Sequence, residues 1–165
     1  MPRSTFVYVT YIRTTPDKLW SAITDPEFNR QYWFGCHCES PWTTGSPWKL
    51  VSPEGQVLDA GEIVEARPPR RLAIRWQNQK PELAPEGASL CTIELEPSGT
   101  AVKLSITHTI ERDPSKLIAA VSGGWPKVLS NLKSLLETGD VLPRAPFEMP
   151  RPPRVPAAAP PASST

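Results

Sequence analysis

Between residues 45 and 109 apolar side chains recur at every second position, and between 115 and 138 they recur at every third and fourth. The first pattern makes strands with one apolar face, and the second makes a helix with one apolar stripe. Neither face is stable in water, so the two patterns are each other's natural cover. Turn residues interrupt the alternating region at regular intervals, as in an antiparallel meander. Strands fit at 48–51, 56–66, 71–77, 90–96 and 101–109. Pro97-Ser98-Gly99-Thr100 closes the last two into a hairpin, and the loop 78–88, with Pro81 and Pro85, is expected to be mobile.

Alternation assigns Leu72, Ile74 and Trp76, then Cys91, Ile93 and Leu95, then Val102, Leu104, Ile106 and His108 to the covered face. Arg71, Arg75, Glu94, Lys103 and Ser105 fall on the solvated one. The helical stripe consists of Leu117, Val121, Trp125, Val128, Leu129, Leu132, Leu135 and Leu136. Asp113-Pro114-Ser115 supplies an N-cap, and Gly139 a C-terminal stop. Gly123, Gly124 and Pro126 disfavour a straight helix, and a kink is expected near Gly124.

Upstream, residues 5–13 alternate and are rich in β-branched and aromatic side chains, which predicts a sixth strand, apolar on both faces. Thr15-Pro16-Asp17 and Asp25-Pro26-Glu27 each read as a capped helix start, giving two short helices that carry Leu19, Trp20 and Ile23, then Phe28, Tyr32 and Trp33. The fold class is therefore α+β: a curved six-stranded antiparallel sheet, two short helices and a long C-terminal helix. Residues 1–139 form this domain. Residues 140–165 hold many of the 21 prolines and few large apolar groups, and a proline-rich disordered tail is expected there. Within it, Arg151-Pro152-Pro153-Arg154 resembles a short ligand for an SH3-type groove.

A net charge of +1 offers no broad field for nucleic acid or an anionic membrane. No signal peptide is apparent, no apolar run approaches the ~20 residues that span a bilayer, and a cytoplasmic location is expected. Cys36, Cys38 and Cys91 are an odd set that fits reduced thiols. Cys36-His37-Cys38 lacks the second ligand pair of a structural zinc site, so no metal and no cofactor are assigned.

Several strings now combine in order: Pro16-x-x-x-Trp20-x-Ala22-Ile23-Thr24-Asp25-Pro26-Glu27, then Gly61-Glu62-Ile63-Val64-Glu65 with Pro68 and Leu72, then Gly124-Trp125 with Leu129, Leu132 and Leu136. Together they resemble the activator-of-Hsp90-ATPase homologue branch of the START/Bet v 1-like (SRPBCC) superfamily, over residues 5–138. The resemblance implies a helix-grip fold whose cavity, between sheet and final helix, serves lipids, polyketides and other apolar molecules. The chain begins at the first strand, so the separate Hsp90-stimulating domain of the eukaryotic co-chaperone is not expected in it.

Binding in that pocket is the function expected, with Trp76, Ile93, Leu104, Ile106, His108, Val121 and Trp125 as ligand-contacting residues and an apolar lipid, polyketide or aromatic molecule as partner. The alternatives are a protein-interaction module meeting a chaperone or another protein, and a cyclase-, dehydratase- or hydrolase-like enzyme in the same pocket. No nucleophile, paired acid and base or phosphate loop stands out, so the reading leans away from catalysis and assigns no catalytic residue. His108, on the inward face, is the one candidate base. Trp33, Trp42 and Trp48 are candidates for the pocket mouth, which is also sought beside the Gly124 bend. Glu62, Glu65 and Arg75 read as rim groups or as exposed cross-strand pairs.

Overall fold

A computed structural model describes residues 2–143. The chain runs β1 (Ser4–Ile12), α1 (Pro16–Thr24), α2 (Pro26–Tyr32), β2 (His37–Glu39), β3 (Pro47–Val51), β4 (Val57–Arg67), β5 (Arg71–Asn78), a 3-10 turn (Ala84–Glu86), β6 (Ser89–Ser98), β7 (Ala101–Ile110) and α3 (Lys116–Thr138). The expected α+β helix-grip architecture is present, with a sheet of seven strands rather than six. The added strand, β2, is three residues long and pairs His37, Cys38 and Glu39 with Val51, Leu50 and Lys49.

Strand order is β1-β7-β6-β5-β4-β3-β2, each pair antiparallel. The meander from β3 to β7 is thus flanked by β1 on one side and β2 on the other, and α1 and α2 carry the chain between these edges. Helix α3 packs on β1, β7 and α2. The residues assigned inward on β5, β6 and β7 are all buried, and they share one core with Leu19, Ile23, Trp125, Val128, Leu129 and Leu132 from the helices. On β1 the two apolar faces diverge: Phe6 and Tyr8 pack on the core, while Val7, Val9 and Tyr11 are exposed.

Local chemistry explains the helix ends. The Thr15 hydroxyl accepts the Lys18 N–H at 3.3 Å, and the Asp25 carboxylate accepts the Glu27 N–H at 2.9 Å, each just ahead of a proline in the first turn. Ser115 caps α3 by accepting the Ile118 N–H at 3.1 Å, and Gly139 ends it in the left-handed conformation at φ 87°. The helix runs as one element through Gly123, Gly124 and Pro126. Proline removes the N–H that would serve the Ser122 carbonyl. Ser122 is exposed, so water can serve it, while the neighbouring Trp125, Val128 and Leu129 are buried and hold the helix on the sheet.

Gly61 is required by a close backbone approach. A Cβ there would lie 1.7 Å from the Arg75 carbonyl oxygen, far inside contact distance. Gly61 pairs with Trp48 on one side and Trp76 on the other. The indoles of these two partners meet with ring centroids 4.4 Å apart.

Buried asparagines tie the helices to β2 and to one another. Asn29 donates through Nδ2 to the Ala22 and Ile23 carbonyls, each at 3.0 Å, and its Oδ1 accepts the Cys38 N–H at 2.9 Å. Asn131 of α3 donates to the Tyr32 carbonyl at 3.3 Å and accepts the Leu142 N–H at 3.0 Å. Residues 144–165, including most of the proline-rich segment and Arg151-Pro152-Pro153-Arg154, lie outside the described residues.

Candidate functional site

A cavity of about 300 Å³ opens between the N-terminal half of α3 and the sheet. Its α3 wall is Leu117, Ala120, Val121, Gly124, Trp125 and Val128; the sheet contributes Leu50, Leu58, Asp59, Trp76 and Asn78, and Trp33, Lys80 and Leu83 complete the rim. The helix supplies this wall because spacing of three and four residues aligns Leu117, Val121, Gly124 and Val128 on one side. Glycine at 124 leaves open space, since a Cβ built there meets nothing within 4 Å.

Trp76, Val121 and Trp125, three of the seven expected ligand contacts, border this cavity. Ile93, Leu104 and Ile106 lie deeper, around a separate void of about 20 Å³ also bordered by Trp33, Trp125 and Val128. Trp33 and Trp125, in edge-to-face contact at 5.4 Å, border both spaces. Among the three tryptophans considered for the mouth, Trp33 reaches the cavity; Trp48 is buried against Trp76, and neither Trp48 nor Trp42 borders the cavity.

His108 borders neither space and is wholly buried. The Trp125 indole N–H donates to its Nδ1 at 3.2 Å. Nδ1 must therefore be the unprotonated nitrogen, which leaves the proton on Nε2 to donate to Ser89 Oγ at 2.7 Å. Ser89 in turn donates to the Trp76 carbonyl at 3.1 Å. Burial pushes the imidazole pKa down to about 4, so the ring is neutral at pH 7. The lone pair a general base would use is already occupied by Trp125, and the histidine's visible role is to orient that indole.

The buried carboxylate at the cavity is that of Asp59, which the sequence reading passed over. It is 5 % exposed, and its Oδ1 accepts the Trp76 indole N–H at 2.8 Å and the Asn78 amide at 2.7 Å. Burial raises its pKa above the ordinary aspartate value, against the two donors, which lower it. One signal could have found it: Asp59 shares strand parity with Gly61 and the buried Ile63, which places it on the inward face.

Glu62, Glu65 and Arg75 do not border the cavity. Arg75 meets Glu62 at 3.4 Å, and Arg71 bridges Glu65 at 3.0 Å and Glu94 at 3.3 Å, on the solvated face. Cys36, Cys38 and Cys91 are unpaired, and burial raises all three thiol pKa values, that of Cys38 to about 12. Such thiols are poor nucleophiles at neutral pH. Among the described residues no group of three or more His, Cys, Asp or Glu side chains is placed to hold a metal ion, and no helix is long and apolar enough to cross a membrane.

The family model for activator of Hsp90 ATPase homolog 1-like proteins matches residues 13–137. The chain belongs to this family. No curated protein matches it. Among solved structures, protein MLL2253 from Mesorhizobium loti aligns with a TM-score of 0.70 at 23% identity, over 84% of this chain and 100% of the other. An HSP90 activator from Plasmodium falciparum aligns with a TM-score of 0.67 at 20% identity, over 80% and 95%. CalU16 from Micromonospora echinospora aligns with a TM-score of 0.66 at 21% identity, over 82% and 77%. At such identities these likenesses speak for the helix-grip fold that this family member shares with them.

Proposed function

We propose that this family member is a non-catalytic binding protein that takes an apolar small molecule between its sheet and α3. The observation that carries the reading is the cavity of about 300 Å³, at the lower end of the ~300–1,000 Å³ of small-molecule sites. Its walls are mostly apolar and include the indoles of Trp33, Trp76 and Trp125, a lining suited to a flat ring system or a short hydrocarbon. The saturated imidazole of His108 and the high thiol pKa values favour binding over catalysis. Three unpaired cysteines fit a reducing, cytoplasmic setting.

A second reading, docking to a chaperone or another protein, draws on the exposed Val7, Val9 and Tyr11 of the edge strand β1. Native mass spectrometry of freshly purified protein separates the two. The binding reading expects a co-purifying small molecule, or a mass shift on adding members of a lipid and aromatic polyketide panel. Bare protein throughout, with no change in tryptophan emission, would contradict it.

A further inference from the structure

Asp59 is a buried carboxylate with half of its hydrogen-bonding capacity unused. Both of its hydrogen bonds fall on Oδ1, from Trp76 Nε1 and Asn78 Nδ2. No described residue donates to Oδ2, and no described Lys, Arg or His forms an ion pair with the carboxylate. Asp59 borders the cavity, which puts its carboxylate beside a cavity occupant.

We propose that Asp59 makes the cavity selective for aromatic molecules that carry a protonated amine, the ligand N–H donating to Asp59 Oδ2. This rests on the small-molecule reading above and adds the chemistry of the ligand. A carboxylate held away from water, with the exposed Lys80 acting on it across a distance but no ion pair formed, gains more from a cation than from a neutral donor, and charge-assisted hydrogen bonds are roughly twice as strong as neutral ones. The indoles of Trp76 and Trp125, 5.7 Å apart and edge to face, add π-faces that also attract a cation. Lys80 is the competing charge at the cavity. It is exposed at the rim and solvated, whereas Asp59 lies in the inner wall, where an interaction between charges is less screened.

Isothermal titration calorimetry at pH 7 with 1-naphthylmethylamine, 1-naphthalenemethanol and 1-naphthoate tests the proposal on one ring system with three head groups. The wild-type protein should bind the amine at least tenfold tighter than the alcohol, with naphthoate weakest. Asp59→Asn keeps an oxygen to accept from Trp76 and Asn78 and removes the charge; it should bring the amine down to the affinity of the alcohol at an unchanged fold. The wild-type comparison stands whether or not the variant folds. Equal affinities for all three ligands, or an amine preference that survives Asp59→Asn, overturns the role of Asp59 and leaves the cavity reading intact. A preference for naphthoate assigns selectivity to Lys80 and overturns the proposal. Absence of binding by all three removes the cavity reading and the proposal together.

Discussion

The Trp125 indole N–H donates to His108 Nδ1 across 3.2 Å and ties the middle of α3 to β7. Because the acceptor is an unprotonated imidazole nitrogen, the bond exists only while His108 is neutral. A protonated ring would set its own N–H against the indole N–H.

This relationship gives the fold a pH dependence with a defined sign. The folded-state pKa of His108 is depressed to about 4 from an ordinary 6.5, so between those values the unfolded chain binds a proton that the folded chain does not. Stability from this source is complete above pH 6.5 and is lost as pH falls towards 4, by roughly 3 kcal/mol at most. The raised pKa of Asp59 acts in the opposite direction and offsets part of the loss. Denaturant unfolding between pH 7.5 and 4 should show the decline in the wild type and a flatter profile in His108→Gln, which starts from a lower stability. Parallel profiles would rule out His108 as the source.

Glu86 should matter to stability although it sits in a loop. Its carboxylate accepts Ser115 Oγ at 2.6 Å and the N–H groups of Lys116 at 2.8 Å and Leu117 at 3.2 Å, at the positive end of α3. Burial raises its pKa, but these donors outweigh burial and hold it below the ordinary glutamate value. Glu86→Ala should lose about 1–2 kcal/mol, measured by urea unfolding, and speed amide hydrogen exchange across residues 78–88. Unchanged exchange there would show that the loop, which supplies Lys80 and Leu83 to the cavity, is held by other contacts.

Adjacent glycines on α3 separate helix stability from cavity volume. A Cβ at Gly123 or Gly124 meets nothing within 4 Å, so Ala at either position should stabilise the helix by up to ~1 kcal/mol. Gly124 borders the cavity and Gly123 does not. Melting temperatures should rise in both variants, while affinity for 1-naphthalenemethanol should fall severalfold in Gly124→Ala alone. An equal change in affinity for both would dissociate ligand binding from this part of the wall.

Much of the architecture could be read from spacing, because periods of two and of three to four residues directly record which side of a strand or helix meets the core. Leu72, Ile74, Trp76, Leu104 and Ile106 fell inward for that reason. The short strand β2 was missed because three residues carry too little alternation to detect, and His37–Glu39 is held by pairing with β3 rather than by its own propensity. Pro126 disfavours the helix locally, and the burial of Trp125, Val128 and Leu129 against the sheet keeps Lys116–Thr138 helical through it. At the site, aromatic wall residues were legible, but the chain does not show how far a side chain reaches. The division of the interior into a cavity and a nearly filled core depends on how Trp33 and Trp125 pack, and the cap from Glu86 joins residues about thirty positions apart.

The most direct test of a ligand cavity between sheet and α3 is a two-dimensional 1H–15N spectrum of the indole N–H groups during titration with 1-naphthalenemethanol. Trp76 and Trp125 border the cavity and their N–H groups bond to Asp59 and His108, so both resonances should shift progressively and saturate, while Trp20, outside the cavity, stays in place. Stationary Trp76 and Trp125 signals, or shifts of the same size at Trp20, would contradict the account.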